Sequence, residues 1–119
     1  MSEREAVVPL RHMRDAAARA IEIARGLERQ RLDADSVETL ALTRLVEIVG
    51  EAVRRIPKEV VARHPQVPWS QIAGTRDRLI HGYDEVDLDI LWNIVGERLP
   101  VLVGQIDRIL AESGAGPTR

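Results

Sequence analysis

Long runs of apolar residues at three- and four-residue spacing are the feature that most constrains this chain. They predict one helix over about residues 8–28, a second that starts at Asp35 or Ser36, and a last one that follows Asp87. No segment alternates with period two, so we expect no strand. The repeating apolar positions of the first and last runs are Leu10, Met13, Ala17, Ala20, Ile21, Ala24 and Leu27, and Leu91, Trp92, Val95, Leu99, Leu102, Ile106, Ile109 and Leu110.

The second run carries a wide apolar face, which is typical of a central helix with neighbours on more than one side. Its apolar positions are Val37, Leu40, Ala41, Leu45, Ile48, Val49, Ala52 and Val53. Gly50 lies in its interior, where glycine is less favourable than alanine by ~1 kcal/mol. We therefore expect a close helix contact at this position.

Prolines divide the rest of the chain. Pro57 ends the second helix and precedes a short one over residues 58–63, and Pro100 should kink the last helix because it cannot donate to the carbonyl of Gly96. The sequence therefore predicts an all-α bundle of four main helices plus one short helix. Its predicted domain covers residues 8–112, between a flexible N-terminus (1–7) and a flexible tail (113–119).

Composition excludes several classes of function. The chain has no cysteine and no His-x3-His pair, so we expect no disulfide, no metal site and no cofactor. The net charge of −2 means that nucleic acid could bind only at a local basic patch. With so few aromatic residues, a platform on which single-stranded bases stack is disfavoured.

The cellular location follows from two absences in the sequence. No apolar run approaches the length of a membrane span, and the first residues lack the basic and then apolar layout of a signal peptide. We therefore expect a cytoplasmic protein without a membrane partner.

The segment from Trp69 to Tyr83 carries the candidate site. Its spacing predicts a helix from Trp69 to His81 that ends at Gly82, with Arg76 on the apolar stripe. An arginine on a buried face is costly unless an anion meets it. Carboxylates that could fill this role are Glu51 and Asp84.

These residue types suit phosphate chemistry. His81 can exchange protons near neutral pH, and Arg76 is a permanent cation that suits phosphate. Asp77, four residues before His81, could hold the imidazole in one tautomer, and Arg78 adds a second cation. A base and phosphate-binding arginines without a metal cluster are what RNA cleavage through its own 2′-hydroxyl needs.

Two further points bear on this interpretation. Arg76 and His81 would be about 140° apart around one helix, so two copies facing each other would be needed to pool them in one cleft, which hints at a homodimer. The more ordinary alternative is that both are surface groups paired with carboxylates.

Residues 76–83, RDRLIHGY, match the pattern Arg-x4-His-x-Tyr. This motif resembles the HEPN superfamily, and specifically the HepT-like toxins. The flanking sequences agree with the resemblance, which covers roughly residues 8–112. They are Ile48-Val49-Gly50-Glu51-Ala52, Val67-Pro68-Trp69, Val86-Asp87, Leu91-Trp92 and Leu99-Pro100.

The resemblance implies an all-helical homodimer that acts as a metal-independent ribonuclease toxin. Its partner in such type VII pairs is an MntA-type nucleotidyltransferase antitoxin, which adds AMP to the motif tyrosine. By matching positions, Arg76 and His81 are catalytic and Tyr83 is the modified residue. Asp77 stands where the family often has asparagine, so it either lowers activity or orients the histidine.

Asp77, Arg78 and Glu51 are assigned supporting roles at this site. Two alternatives stay open from the sequence. One is a non-catalytic helical subunit that docks a nucleotidyltransferase and presents a nucleotide, and the other is a purely structural helical dimer. Cleavage of RNA by the purified protein separates the first interpretation from both.

Overall fold

The fold is a helical bundle, seen in a computed structural model that describes residues 2–81 and 85–114. A 3-10 turn (Arg29–Arg31) and a π-helical turn (Ile94–Arg98) lie between helices, and a short ladder pairs β1 (Ile80–His81) with β2 (Glu85–Val86). The helices are α1 (Ser2–Arg25), α2 (Val37–Val53), α3 (Lys58–Arg63), α4 (Trp69–Ala73), α5 (Thr75–Leu79), α6 (Leu88–Asn93) and α7 (Leu99–Glu112).

The core lies where α1 packs against α2 and α7. In α1 and α7 the periodicity correctly assigned core side chains such as Leu10, Met13, Ile106 and Leu110, each at most 1% exposed. In α2 it left out Leu42 and Val46, which are buried. The all-α fold class is therefore confirmed. The antiparallel pairing of β1 with β2 is the exception, because the sequence predicted no strand.

The N-terminal helix is longer than the sequence predicted. It begins at Ser2 rather than at residue 8, so residues 2–7, predicted as flexible, continue α1. Ala6 is only 1% exposed, and Glu3 lies 3.4 Å from Arg63 of α3, so this turn gains contacts that a free terminus lacks. Of the predicted flexible tail, residues 115–119 lie outside the described part of the chain.

The start of α2 is capped as expected, but its first turn differs from the predicted apolar face. The Ser36 side chain accepts a hydrogen bond from the Thr39 backbone N–H at 3.1 Å. Thr39 faces the core at 1% exposure, whereas Val37 and Leu40, predicted as buried, are 76% and 61% exposed. In this first turn of α2, the rest of the bundle packs against the side that carries Thr39, and the side that carries Val37 and Leu40 faces solvent.

The last helix is interrupted by a π-helical turn, Ile94–Arg98, which ends two residues before Pro100. The Leu99 N–H donates to the carbonyl of Ile94, one residue further back than in an α-helix, and Pro100 has no N–H to donate. The helix continues beyond this turn as α7 with its apolar stripe buried.

Gly50 sets the distance between α2 and α4. A Cβ placed on Gly50 would lie 3.0 Å from the carbonyl oxygen of Ile72 and 3.7 Å from that of Ala73. The expected close helix contact is therefore confirmed. This contact fixes the segment after Ala73 against the face of α2 that carries Glu47 and Glu51.

Among the described residues, no helix combines the length and apolar character needed to cross a membrane.

The substitution Gly50→Ala tests the close contact. The added methyl would press on the Ile72 carbonyl, a type of overpacking that costs typically ~1–3 kcal/mol and outweighs the helix-propensity gain of ~1 kcal/mol. We expect a lower free energy of unfolding, measured by urea denaturation. The matched control is Gly104→Ala in α7, where nothing lies within 4 Å of the added Cβ, and which should stabilise the protein. An equal change in the free energy of unfolding in both variants would contradict a close contact between Gly50 and the Ile72 carbonyl.

Candidate functional site

The candidate segment is not one helix. The chain leaves helical geometry at Gly74 (φ −88°, ψ 4°), which separates α4 from α5, and α5 ends at Leu79. The predicted continuous helix from Trp69 to His81 is therefore wrong. Two features account for the difference: glycine tolerates the break, and the residues after Leu79 pair with β2 instead of continuing the helix.

The break at Gly74 changes which side chains of α5 are buried. Thr75 and Leu79, one turn apart, form the buried face at 6% and 0% exposure. The Arg76 side chain is 70% exposed, so its predicted place on the apolar stripe is wrong. Thr75 donates to the carbonyl of Gln71 at 3.0 Å, which satisfies its buried hydroxyl.

His81 lies in β1, where it pairs with Glu85. His81 therefore does not share a helix with Asp77 and Arg78, and the helical spacing expected to place them beside it does not apply. The predicted separation of about 140° between Arg76 and His81 around one helix does not apply either. The His81 side chain lies outside the described part of the structure, and so do the predicted helix stop Gly82, the motif residue Tyr83 and the carboxylate Asp84.

Arg76 forms an ion pair with a residue that the sequence did not single out. Its Nε lies 3.2 Å from Oε2 of Glu47, whose side chain is only 20% exposed. The partner suggested from the sequence, Glu51, instead pairs with Arg44 at 2.9 Å. Because the Arg76 side chain stays 70% exposed beside Glu47, its guanidinium is still accessible to an anion in solution.

Arg76 and its partner Glu47 line a groove of about 330 Å³ between α2 and the α4–α5 segment. We call it the Arg76 groove. Its walls hold three guanidinium groups and three carboxylates, so the described charges balance. Anion binding there depends on the position of single guanidinium groups rather than on a general positive field. The charged residues are Arg44, Glu47, Glu51, Arg54, Arg76 and Asp77.

Arg78 does not join this groove. It donates from Nη2 to the carbonyl of Gln71 at 3.3 Å and lines a second groove, on the other side of α5. The structure thus brings Asp77 and Glu51 to Arg76 as predicted supporting residues, and separates Arg78 from them.

The signal that could have found Glu47 lies in α2. Glu47 and Glu51 are four residues apart and share a helix face, and Gly50 between them marks the close approach. Gly50 contacts Ile72, and Glu47, three residues earlier in α2, contacts Arg76, four residues later in the chain. The α2 helix and the α4–α5 segment therefore run antiparallel. Which of the two carboxylates meets Arg76 depends on this relative position, which the sequence does not contain.

Within residues 2–81 and 85–114, no three His, Asp or Glu side chains are placed so that they could hold a metal ion.

The family follows from comparison with known proteins. The family described as Ribonuclease HepT-like matches residues 13–109, which include α2, the Gly50 contact and the whole motif segment. The chain belongs to this family. The predicted HepT-like resemblance is confirmed at this level.

Individual relatives agree with the family. A protein of Caldanaerobacter subterraneus, provisionally named an RNase, is 40% identical over 101 residues, which cover 85% of this chain and 90% of the relative. The probable ribonuclease HepT of Thermococcus cleftensis is 40% identical over 63% of this chain and 68% of its own length. A Methanocaldococcus jannaschii protein, also provisionally named an RNase, is 31% identical over 90% and 98% of the two chains. None of the solved structures gives a significant match.

Proposed function

We propose that this protein is a metal-independent ribonuclease and the toxin of a type VII toxin–antitoxin pair that acts on cytoplasmic RNA. Membership of the HepT-like family and the names of its relatives support the ribonuclease activity. The observation that carries the proposal furthest is Arg76 itself, a 70% exposed guanidinium that lies beside Glu47 and lines an open groove.

In this proposal, Arg76 binds the scissile phosphate. A guanidinium can offer two parallel N–H groups to phosphate oxygens, and the Arg76 side chain is 70% exposed. During cleavage, negative charge builds up on the non-bridging phosphate oxygens. Arg76 would stabilise that charge without a bound metal ion, so cleavage should persist in the presence of a chelator.

His81 is assigned the proton transfers. As a general base it takes the proton of the ribose 2′-hydroxyl, whose oxygen forms a bond to phosphorus while the bond from phosphorus to the 5′-oxygen breaks. The proton is then delivered to the departing 5′-oxygen. The products are one strand that ends in a 2′,3′-cyclic phosphate and another that begins with a 5′-hydroxyl.

We assign Asp77 and Glu51 to the surroundings of the phosphate. Both carboxylates line the Arg76 groove, and Glu51 is held by Arg44. They would repel a phosphate that is not aligned on Arg76, so they favour one position of the strand. The active form is a homodimer in this proposal, with the two motif segments at a shared cleft.

Tyr83 is the proposed control point. An MntA-type nucleotidyltransferase would attach AMP to its phenolic oxygen, two residues after the catalytic histidine. The adduct brings a phosphodiester and a bulky base to the cleft. Arg76 would attract its phosphate as it attracts that of RNA, so the adduct would exclude the substrate.

The substitutions His81→Ala and Arg76→Ala test the ribonuclease assignment. Loss of a general base costs typically ~10²–10⁴-fold in rate, and loss of a charge-stabilising group costs a similar factor. We expect each purified variant to lose cleavage of total cellular RNA by about that factor, measured in the presence of EDTA. Because Arg76 is 70% exposed, the fold should be retained in its variant.

The matched control is His12→Ala, which removes an exposed imidazole from α1. It should cleave RNA as the wild type does. Full activity in either site variant would refute the assigned roles, and a wild-type protein that never cleaves RNA would favour the nucleotidyltransferase-docking subunit. The charge balance of the Arg76 groove is the observation that favours that second candidate.

Tyr83→Phe tests the control point. The substitution removes the acceptor oxygen and keeps the ring, so the variant should fold, cleave RNA and escape the antitoxin. Intact-mass spectrometry after co-expression with the nucleotidyltransferase should show AMP increments on the wild type alone. Increments that persist in the variant would place the modification on another residue.

A further inference from the structure

A second groove lies on the side of α5 that faces away from Arg76, and we call it the apolar groove. It has a volume of about 360 Å³ and lies between α2, α4–α5 and α7. Its apolar lining includes Val49, Ile72, Ile94, Leu99, Val101 and Leu102. Val101 is 61% exposed, so the groove opens to solvent at α7.

Two arginines meet at the rim of the apolar groove. Arg78 donates to the backbone carbonyl of Gln71 at 3.3 Å, and Arg98 donates to its Oε1 at 3.4 Å. Both acceptors are neutral, and among the described residues neither guanidinium forms an ion pair with a carboxylate. Asp89 lines an adjoining groove with both arginines, but it forms an ion pair with Arg29. Glu97 is the carboxylate in the lining of the apolar groove itself, so its rim carries a net positive charge.

This arrangement contrasts with the Arg76 groove, where Glu47 and Glu51 hold Arg76 and Arg44. Two cations brought together on one neutral residue repel each other unless an anion joins them. A phosphate could accept hydrogen bonds from both guanidinium groups and relieve this repulsion. The charge of the rim thus points to a phosphate group as its ligand.

Other rim residues suit a nucleobase. Gln66, Gln71 and Gln105 line the groove, and side-chain amides both donate and accept hydrogen bonds as base edges do. The Gln105 Nε2 donates to the Gln66 carbonyl at 3.1 Å, which holds this amide in place, and no donor from the described residues reaches its buried Oε1. An apolar floor under polar amides can hold the flat face of a base.

We propose that the apolar groove binds one nucleotide of the RNA strand beside the scissile phosphate. Arg78 and Arg98 hold its phosphate, and the base enters the groove over Leu102. The strand would then cross α5, which carries Arg76 on one side and Arg78 on the other. The inference rests on the proposed ribonuclease function, because it assigns the occupant as substrate RNA.

The experiment measures binding of a fluorescent 2′-O-methyl RNA oligonucleotide, which cannot be cleaved, by Arg98→Gln and by the control Arg108→Gln. Arg108 is an exposed α7 residue outside the groove, so both variants lose the same charge. For single strands, each phosphate contact contributes about 0.7 to the slope of log K against log salt concentration. Arg98→Gln should lower the slope by that amount and weaken binding severalfold, and Arg108→Gln should change neither.

Two further comparisons test the parts of the site. Arg98→Lys keeps the charge and should restore the slope, and an abasic oligonucleotide should bind the wild type more weakly than the complete one. Equal slopes in Arg98→Gln and Arg108→Gln would overturn the phosphate contact, and equal affinity for the abasic strand would overturn the base pocket. Wild-type binding that depends on Arg98, without any cleavage of ordinary RNA, would overturn the ribonuclease proposal and leave the subsite intact.

Discussion

The packing of α2 against α4 at Gly50 is the constraint on which the candidate site depends. Because Gly50 has no side chain, the Ile72 carbonyl comes to within 3.0 Å of the position that a Cβ would occupy. The same close approach brings Arg76, four residues after Ile72, to Glu47, three residues before Gly50 in α2. A bulkier residue at position 50 would move the two segments apart and with them the ion pair.

Much of the fold could be predicted because it depends on periodicity. Residues such as Met13, Leu91 and Ile106 recur at helical spacing and are fully buried. The segment after Gly74 could not be predicted in this way, since its conformation follows from pairing of Ile80 with Val86, which competes with continuation of the helix. Local propensity does not decide between these two outcomes, and tertiary contacts do.

The geometry around the predicted site residues could not be derived from the sequence. The motif correctly placed Arg76 and Asp77 together, because they are neighbours on a short helix. It did not reveal Glu47, and it did not predict that Arg78 would line a different groove from Arg76, because both depend on where Gly74 breaks the helix. The result is two grooves that share α5 and differ in charge, one with balanced charges and one with a positive rim.

The ion pair between Arg76 and Glu47, with 3.2 Å between Nε and Oε2, can be tested for a role in positioning Arg76 through the steady-state kinetics of Glu47→Gln. The substitution keeps the shape of the side chain and removes the ion pair, and misplacement of a phosphate ligand by about 1 Å can cost on the order of 10²-fold in rate. If Glu47 positions Arg76 for the phosphate, kcat should fall about ten- to a hundredfold in Glu47→Gln. KM should not rise, since a carboxylate that repels RNA is also lost. Glu38→Gln, which removes an exposed carboxylate of α2 that does not line the Arg76 groove, should leave kcat near that of the wild type. An unchanged kcat in Glu47→Gln, or an equal loss of kcat in both variants, would show that Glu47 does not position Arg76.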